Sequence, residues 1–190
     1  MKIGIVGAGN IGKTLSRTLS AAGHDVKVAN SRGPETIDPV ALSTGARAVD
    51  AADAARDVEV VILSMPFNRV PAFATALSAA PADAVVIDTS NYYPLRDDRI
   101  EAIDDGEVES VWLAQQIGRP VIKAWNAIGS ASLAEKGAPA GTPGRIAIPV
   151  AADDADARKL GMMLVDQTGF DGFDAGPLSE SWRRQPGGPC

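Results

Sequence analysis

The chain of 190 residues holds one cysteine, Cys190, and one histidine, His24. A lone thiol builds neither a disulfide framework nor a multi-cysteine metal site, so no metal centre is expected and Cys190 reads as a surface thiol. A single histidine removes the commonest general base from almost the whole chain. Basic residues are also short: 18 Lys and Arg stand against 24 Asp and Glu, for a net charge of −6. That balance argues against nucleic acid, whose partners carry a basic stripe, yet allows a local basic pocket for one small anion. No apolar run approaches the ~20 residues of a membrane span; the longest, "VEVVILSMPF", has the length of a strand. The opening "MKIGIV" lacks the apolar core and cleavage site of a secretory leader. These absences together predict a cytoplasmic protein with neither a membrane nor a nucleic-acid partner.

What is present is a repeated design. "HDVKVANS" (24–31), "RDVEVVILS" (56–64) and "ADAVVIDTS" (82–90) each run from an Asp through β-branched residues to a small polar residue. "MKIGIVG" (1–7) and "RPVIKAWN" (119–126) look alike. Apolar runs without clean alternation suit strands buried on both faces of a parallel sheet. Between them, Ile11, Leu15, Leu19 and Ala22 share one helix face ahead of Gly23. Residues 153–168 open on Asp153, Asp154 and Asp156 and close before Gly169, as a capped helix does. Strand alternating with helix predicts an α/β, Rossmann-type, doubly wound parallel sheet. We expect a single domain over 1–178, with 179–190 ("ESWRRQPGGPC" lies here) as a C-terminal tail or arm. "GAPAGTPG" (137–144) reads as an ordered loop.

"GIVGAGNIGKTLSRTL" sets Gly7, Gly9 and Gly12 in the G-x-G-x-x-G spacing. The pattern alone is weak, but here it follows an apolar strand and opens a helix. Gly7 permits the tight turn, Gly9 lets backbone approach a pyrophosphate, and Gly12 lets helix and strand pack closely. The helix start at Asn10 and Ile11 then turns N–H donors toward the phosphates. Such a site takes a dinucleotide.

Which dinucleotide depends on the end of the second strand. A carboxylate there would accept hydrogen bonds from an adenosine ribose, but Asn30, Ser31 and Arg32 occupy the place. Ser31 and Arg32 can bind a 2′-phosphate that a carboxylate would repel. This points to NADP, although Asn30 alone could hold an NAD ribose and Arg32 could be a solvated surface residue.

Ligands of open α/β sheets sit at the carboxyl ends of the strands. Those ends are Ser64-Met65-Pro66, Thr89-Ser90-Asn91 and Trp125-Asn126, with Met65-Pro66 as a stiff wall. Asp88 reads as a structural strand-end carboxylate, Lys123 as a lysine snorkelling to the sheet edge, and His24 as remote from the chemistry. No Tyr-x-x-x-Lys pair exists, since Tyr92 and Tyr93 precede Pro94, Leu95, Arg96 and Asp97. Poverty in acid–base groups favours hydride transfer between two redox cofactors, because the cofactor carries the hard chemistry.

On these residues the chain resembles the NADP oxidoreductases that depend on coenzyme F420, a deazaflavin, and their bacterial dinucleotide-binding relatives. The resemblance is carried by "GIVGAGNIGKTLSRTLSAAGHDVKVANSR", "VVILSMPF", "VIDTSN", "VIKAWNAI" and "IPVAADDADARK…GFDGFDAGPLSESW". The NADPH domain of membrane metalloreductases is similar around "DTSN" and "VIKAWNAI". The resemblance implies that Gly9, Asn10 and Ile11 hold the pyrophosphate, and Ser31 and Arg32 the 2′-phosphate. It implies Met65, Pro66 and Asn91 beside the ribose and nicotinamide. Trp125, Asn126 and Ile128 would line the pocket of the second redox partner. The family's archaeal members continue past "DAGPLS" into a longer helical region, where this chain has "ESWRRQPGGPC". Trp182, with Arg183 and Arg184, is expected to supply a pocket wall, to dock on a second subunit, or to pack on its own domain. The expected activity is hydride transfer between NADP(H) and F420 or a flavin, in a homodimer. A reductase of a small imine or ketone and a non-catalytic NADP sensor are the alternatives.

Overall fold

Valines and isoleucines crowd both pleat faces of the central strands, and the sheet they build is covered on both sides. The computed structural model describes residues 1–189, so Cys190 lies outside the described residues. The strands are β1 (Lys2–Val6), β2 (Asp25–Ala29), β3 (Arg47–Ala48), β4 (Val60–Leu63), β5 (Val85–Asp88) and β6 (Val121–Lys123). All pair in parallel, in the order β3-β2-β1-β4-β5-β6. In β4, Val60 and Ile62 enter one core cluster and Val61 and Leu63 the other. Both sets are fully buried, which is why the sequence reads as one unbroken apolar run. This is the doubly wound α/β sheet that the alternation predicted.

The helices are α1 (Asn10–Ala21), α2 (Pro39–Leu42), α3 (Ala51–Ala54), α4 (Val70–Leu77), α5 (Pro94–Asp97), α6 (Glu101–Asp104), α7 (Glu109–Ile117), α8 (Ser130–Glu135) and α9 (Ala155–Gln167). In α1, Leu15 and Leu19 are buried and Gly23 carries φ +90° beyond its end. In α9, the Asp154 carboxylate accepts the Ala157 N–H at 2.7 Å, the cap its acidic start predicted.

One feature was not expected, and another was one of three alternatives. A second parallel pair, β7 (Ala147–Val150) and β8 (Asp171–Asp174), joins β6 through an antiparallel bridge between Lys123 and Ala151. Strand β8 reads "DGFD", and its one large apolar residue, Phe173, is exposed, so no apolar run announced it. The C-terminal segment is fastened to the domain. A 3-10 helix over Leu178–Arg184 buries Leu178 and Ser181, and Ser181 Oγ donates to Ser110 Oγ at 3.0 Å. Gln185 Oε1 accepts the Glu109 N–H at 3.1 Å.

The order reverses between β1 and β4, and it is there that the carboxyl ends of the strands leave a crevice.

Candidate functional site

Close packing of α1 on the sheet fixes the crevice floor. A Cβ on Gly12 would lie 1.8 Å from the Gly7 carbonyl oxygen, so only glycine lets helix and loop meet. Gly7 has φ +109°, and a Cβ there would strike the Ser64 carbonyl at 2.0 Å. Gly9 is different. Its φ of −71° suits any residue, and a Cβ would meet nothing within 4 Å. Gly9 faces open space at the N-cap of α1, whose first turn holds no acidic residue and no side-chain cap. Its N–H donors and partial positive charge are left for an anion. Lys13 is not available to help, because its ammonium is paired with Asp38 at 2.9 Å. That pairing holds the Asp38 carboxyl below its ordinary range.

From Gly9 the crevice opens in two directions. One cavity, of about 740 Å³, is lined by Gly7, Ser31, Arg32, Met65, Arg69 and Phe73 among others. No carboxylate lines it, and neither Arg32 nor Arg69 has a side-chain ion pair among the described residues. Two uncommitted guanidinium groups thus share one cavity on a chain of charge −6. The Asn30 side chain is engaged in shaping this wall. Its Oδ1 accepts the Arg32 N–H at 2.8 Å and its Nδ2 donates to Thr36 Oγ1 at 2.8 Å. Thr36 Oγ1 in turn donates to the Gly33 carbonyl at 2.9 Å, around a glycine of φ +98°. Asn30 is therefore a brace for the Ser31-Arg32 loop. Arg69, in the 3-10 turn Phe67–Arg69, was not picked out in the sequence.

The other cavity, of about 560 Å³, is lined by Asn10, Ile11, Met65, Pro66, Ser90 and Asn91, and on its far side by Tyr93, Arg96, Asn126 and Ile128. Gly9, Ser64, Met65 and Pro66 border both cavities, so the Met65-Pro66 wall stands at their junction. Asn91 and Asn126 reach across to each other. Asn91 Nδ2 donates to the Asn126 carbonyl at 2.9 Å, and Asn126 Nδ2 donates to Asn91 Oδ1 at 3.1 Å. Asn126 Nδ2 also donates to the Arg184 carbonyl at 3.1 Å, which ties the C-terminal segment to this wall.

Arg96 was not picked out in the sequence. It grips Asp97 with Nε and Nη2 at 2.8 and 2.6 Å, donates to the Asn91 carbonyl at 2.7 Å, and lies 4.9 Å over the Tyr93 ring. The Asp97 hydrogen bonds push its pKa further up. Its charge is spent on Asp97, and it serves to hold the Asn91 loop.

Of the expected pocket residues, Trp125 lines this second cavity but keeps its side chain buried, and Trp182 stands outside both cavities. Trp125 is completely buried, and its indole Nε1 donates to Thr168 Oγ1 at 3.3 Å. Its φ of +59°, rare for a bulky residue, turns the ring into the core while the chain passes on to Asn126. Trp125 therefore offers no ring face to a ligand. Trp182 is 41% exposed and lies under the Arg183 guanidinium at 4.6 Å. It is absent from the lining of both cavities.

Lys123 also differs from expectation. It does not snorkel: its side chain is 3% exposed and its ammonium meets Asp88 at 2.7 Å. The two are register partners on β5 and β6. Nearby Glu109 is buried and accepts the Tyr92 N–H at 3.1 Å. Desolvation raises its pKa, against the opposing pull of Lys123. His24 lies far from the crevice, between the N-terminal ammonium at 3.2 Å and Gln167 Oε1 at 2.7 Å. No helix of the described residues is long and apolar enough to cross a membrane.

A structure of the hypothetical protein SMa0349 from Sinorhizobium meliloti superposes with a TM-score of 0.84 at 29% identity, covering 100% of this chain and 92% of that one. A protein from Arthrobacter sp. FB24, provisionally described as an F420-dependent NADP reductase, superposes with a TM-score of 0.70 at 21% identity, covering 95% of this chain and 87% of that one. An imine reductase from Pseudomonas sp. shares the fold at 18% identity and a TM-score of 0.62, over 94% of this chain but 57% of that one. Among curated proteins, Escherichia coli (strain K12) YjhV is 48% identical over 48 residues, 25% of this chain; the match spans about a third of that relative, 35% of its length. Residues 2–92, which hold the glycine loop, Ser31-Arg32, Met65-Pro66 and Asn91, match the family described as "NADP oxidoreductase coenzyme F420-dependent". Over that region, a little under half of the chain, the resemblance read from the sequence to the F420-dependent NADP oxidoreductases is borne out.

Proposed function

We propose that this protein is an NADP(H)-dependent oxidoreductase that passes a hydride between the nicotinamide and a deazaflavin (F420) or flavin. The observation that carries the cofactor choice is the cavity of about 740 Å³ that Arg32 and Arg69 line without a carboxylate. In this reading Gly9, Asn10 and Ile11 receive the pyrophosphate at the start of α1, and Ser31 and Arg32 receive the 2′-phosphate. A charge-assisted hydrogen bond of that kind contributes about 1.5–3 kcal/mol, or roughly 10- to 150-fold in affinity. Met65, Pro66 and Asn91 border the nicotinamide end. The bound cofactor supplies the hydride, and the chain supplies orientation and exclusion of water.

The second cavity supports the acceptor class. Among the described residues, its lining holds no histidine, lysine, cysteine or carboxylate. A carbonyl or imine acceptor needs a proton donor of tuned pKa, whereas a deazaflavin or flavin does not need one from the protein. Asn126, Ile128 and Ser130 would form its far wall. One observation favours the second reading, a reductase of small imines or ketones. The Tyr93 phenol lines the cavity and is 44% exposed, so it could hand over a proton. A homodimer in the cytoplasm belongs to the same proposal.

The test is rapid mixing of protein and NADPH with oxidised F420, then FMN, then a cyclic imine, following NADPH absorbance. Fast turnover of F420 or FMN alone is the expected result. Turnover of the imine alone, abolished by Tyr93→Phe, would replace it with the second reading. Tight NADPH binding with no turnover would leave a cofactor sensor.

A further inference from the structure

Beneath the nicotinamide end lies a charged pair that the proposed chemistry does not use. Asp88 is fully buried, Lys123 nearly so, and both converge on Ser90. Asp88 Oδ1 accepts the Ser90 N–H at 3.0 Å and the Ser90 hydroxyl at 2.6 Å. The Lys123 ammonium donates to Asp88 Oδ2 and to the Ser90 carbonyl. It also lies 5.9 Å from the centre of the Phe67 ring. Every polar atom of Ser90 is thus held by one or other member of the pair. The preceding residue is anchored as well, since Thr89 N–H and Oγ both donate to the Leu63 carbonyl, at 3.1 and 3.2 Å.

A buried ion pair is a poor way to gain stability, because desolvation consumes much of the Coulombic attraction and apolar residues of like volume often do as well. What it does well is fix geometry: carboxylate and ammonium have several directed hydrogen bonds to distribute. Here they fall on the residue just before Asn91, whose amide spans the crevice to Asn126. Arg96 holds the Asn91 carbonyl from the other side.

We propose that Lys123 and Asp88 are positioning residues, a buried cradle that pins Ser90 and thereby sets Asn91 against the nicotinamide end of the crevice. This rests on the reading of the crevice as an NADP site. Lys123 touches no ligand in this role and acts through Ser90.

Single replacements would leave an unpaired buried charge, so the test uses paired ones. Asp88→Asn with Lys123→Met keeps an acceptor for the Ser90 N–H and hydroxyl and removes only the grip on its carbonyl. Asp88→Leu with Lys123→Met removes all three. Two readouts are taken: hydrogen exchange of the peptide over 89–92, without ligand, and affinity for NADPH beside affinity for its bisphosphorylated adenosine half. The expected result is graded. Exchange over 89–92 accelerates more in the second double variant than in the first, while the strands β1 and β4 stay protected. NADPH affinity falls by about tenfold in the second variant, ~1.4 kcal/mol, with the adenosine half bound as before. Equal loss of both ligands, or faster exchange throughout the sheet, would show a merely structural pair and overturn the proposal, as would no change at all. If the wild-type protein binds neither ligand, the NADP reading fails, and the exchange measurement still decides whether the pair pins this segment.

Discussion

Replacing Gly9 by alanine separates a glycine kept for a ligand from glycines kept for the fold. The local backbone is already acceptable to alanine, and the added Cβ has no protein atom within 4 Å. Two small terms act on stability. Alanine is a poorer N-cap than glycine, by up to about 1 kcal/mol, while it restricts the unfolded chain, a gain of about 0.4–1 kcal/mol. They nearly cancel, and the melting temperature should stay within about 3 °C of wild type. The ligand would lose far more. A methyl in the open space before α1 would keep a pyrophosphate from the helix N–H groups, and each such charge-assisted bond carries about 1.5–3 kcal/mol. NADPH affinity, measured by titration calorimetry, should therefore fall at least about tenfold.

Gly12→Ala is the control. Its Cβ would overlap the Gly7 carbonyl at 1.8 Å, so α1 must move off the sheet and the whole domain should lose stability. A Gly9→Ala protein that binds NADPH as tightly as wild type would refute the placement of the phosphates. One that melts many degrees lower would refute the claim that the space before Gly9 is free.

Arg32→Ala should weaken NADPH about tenfold or more while leaving NADH nearly unchanged; equal losses for both cofactors would remove the 2′-phosphate from this wall. Arg69→Ala should act in the same direction, and unchanged NADPH affinity would make Arg69 a solvated bystander. Glu109 gives a pH signature. Its folded pKa is raised by desolvation, so its contribution to stability is present below the ordinary carboxylate range and is lost as pH rises through the raised value. Glu109→Gln keeps an acceptor for the Tyr92 N–H and removes that loss, so its melting temperature relative to wild type should climb as pH rises above the ordinary glutamate value of about 4.3. A difference that is flat or falls with pH would contradict the assignment. Ending the chain after Pro177 removes buried Leu178 and the partners of Ser110 and Glu109. The loss of Leu178 alone, about 2 kcal/mol, should lower the melting temperature by roughly 4–8 °C; an unchanged value would mean that this segment is a loose arm.

What could be read in advance follows the physics of each feature. The sheet was legible because β1, β2, β4, β5 and β6 are buried on both faces and so appear as apolar runs. Strand β8 has no such pressure and left no pattern. The glycine loop was legible because glycine has few other reasons to stand at Gly7 and Gly12, where a Cβ would overlap backbone. The burial of the Trp125 ring was not legible, because the residue stands at a strand end and nothing in the sequence announces its φ of +59°. Lys123 was misread for a related reason. A lysine in an apolar run ordinarily extends to water, and its partner Asp88 stands 35 residues away, brought opposite by strand register alone.

The two ends of the crevice differ in kind, and this bears on where specificity resides. In the proposed reading the adenosine end is built from backbone and from Arg32 and Arg69, features tied to local sequence and to a cofactor shared by many enzymes. The far end depends on contacts between residues distant in the chain: Asp88 with Lys123, Asn91 with Asn126, and Asn126 with the Arg184 carbonyl. Such contacts can be retuned by a change at either partner without disturbing the glycine loop. An acceptor pocket made this way can change its substrate while the cofactor half stays fixed. Substitutions that switch the acceptor are therefore expected at Ile128 and Ser130, which line that cavity without entering the network, rather than at Asn91, Lys123 or Asp88, whose loss would disorder the wall for every acceptor alike.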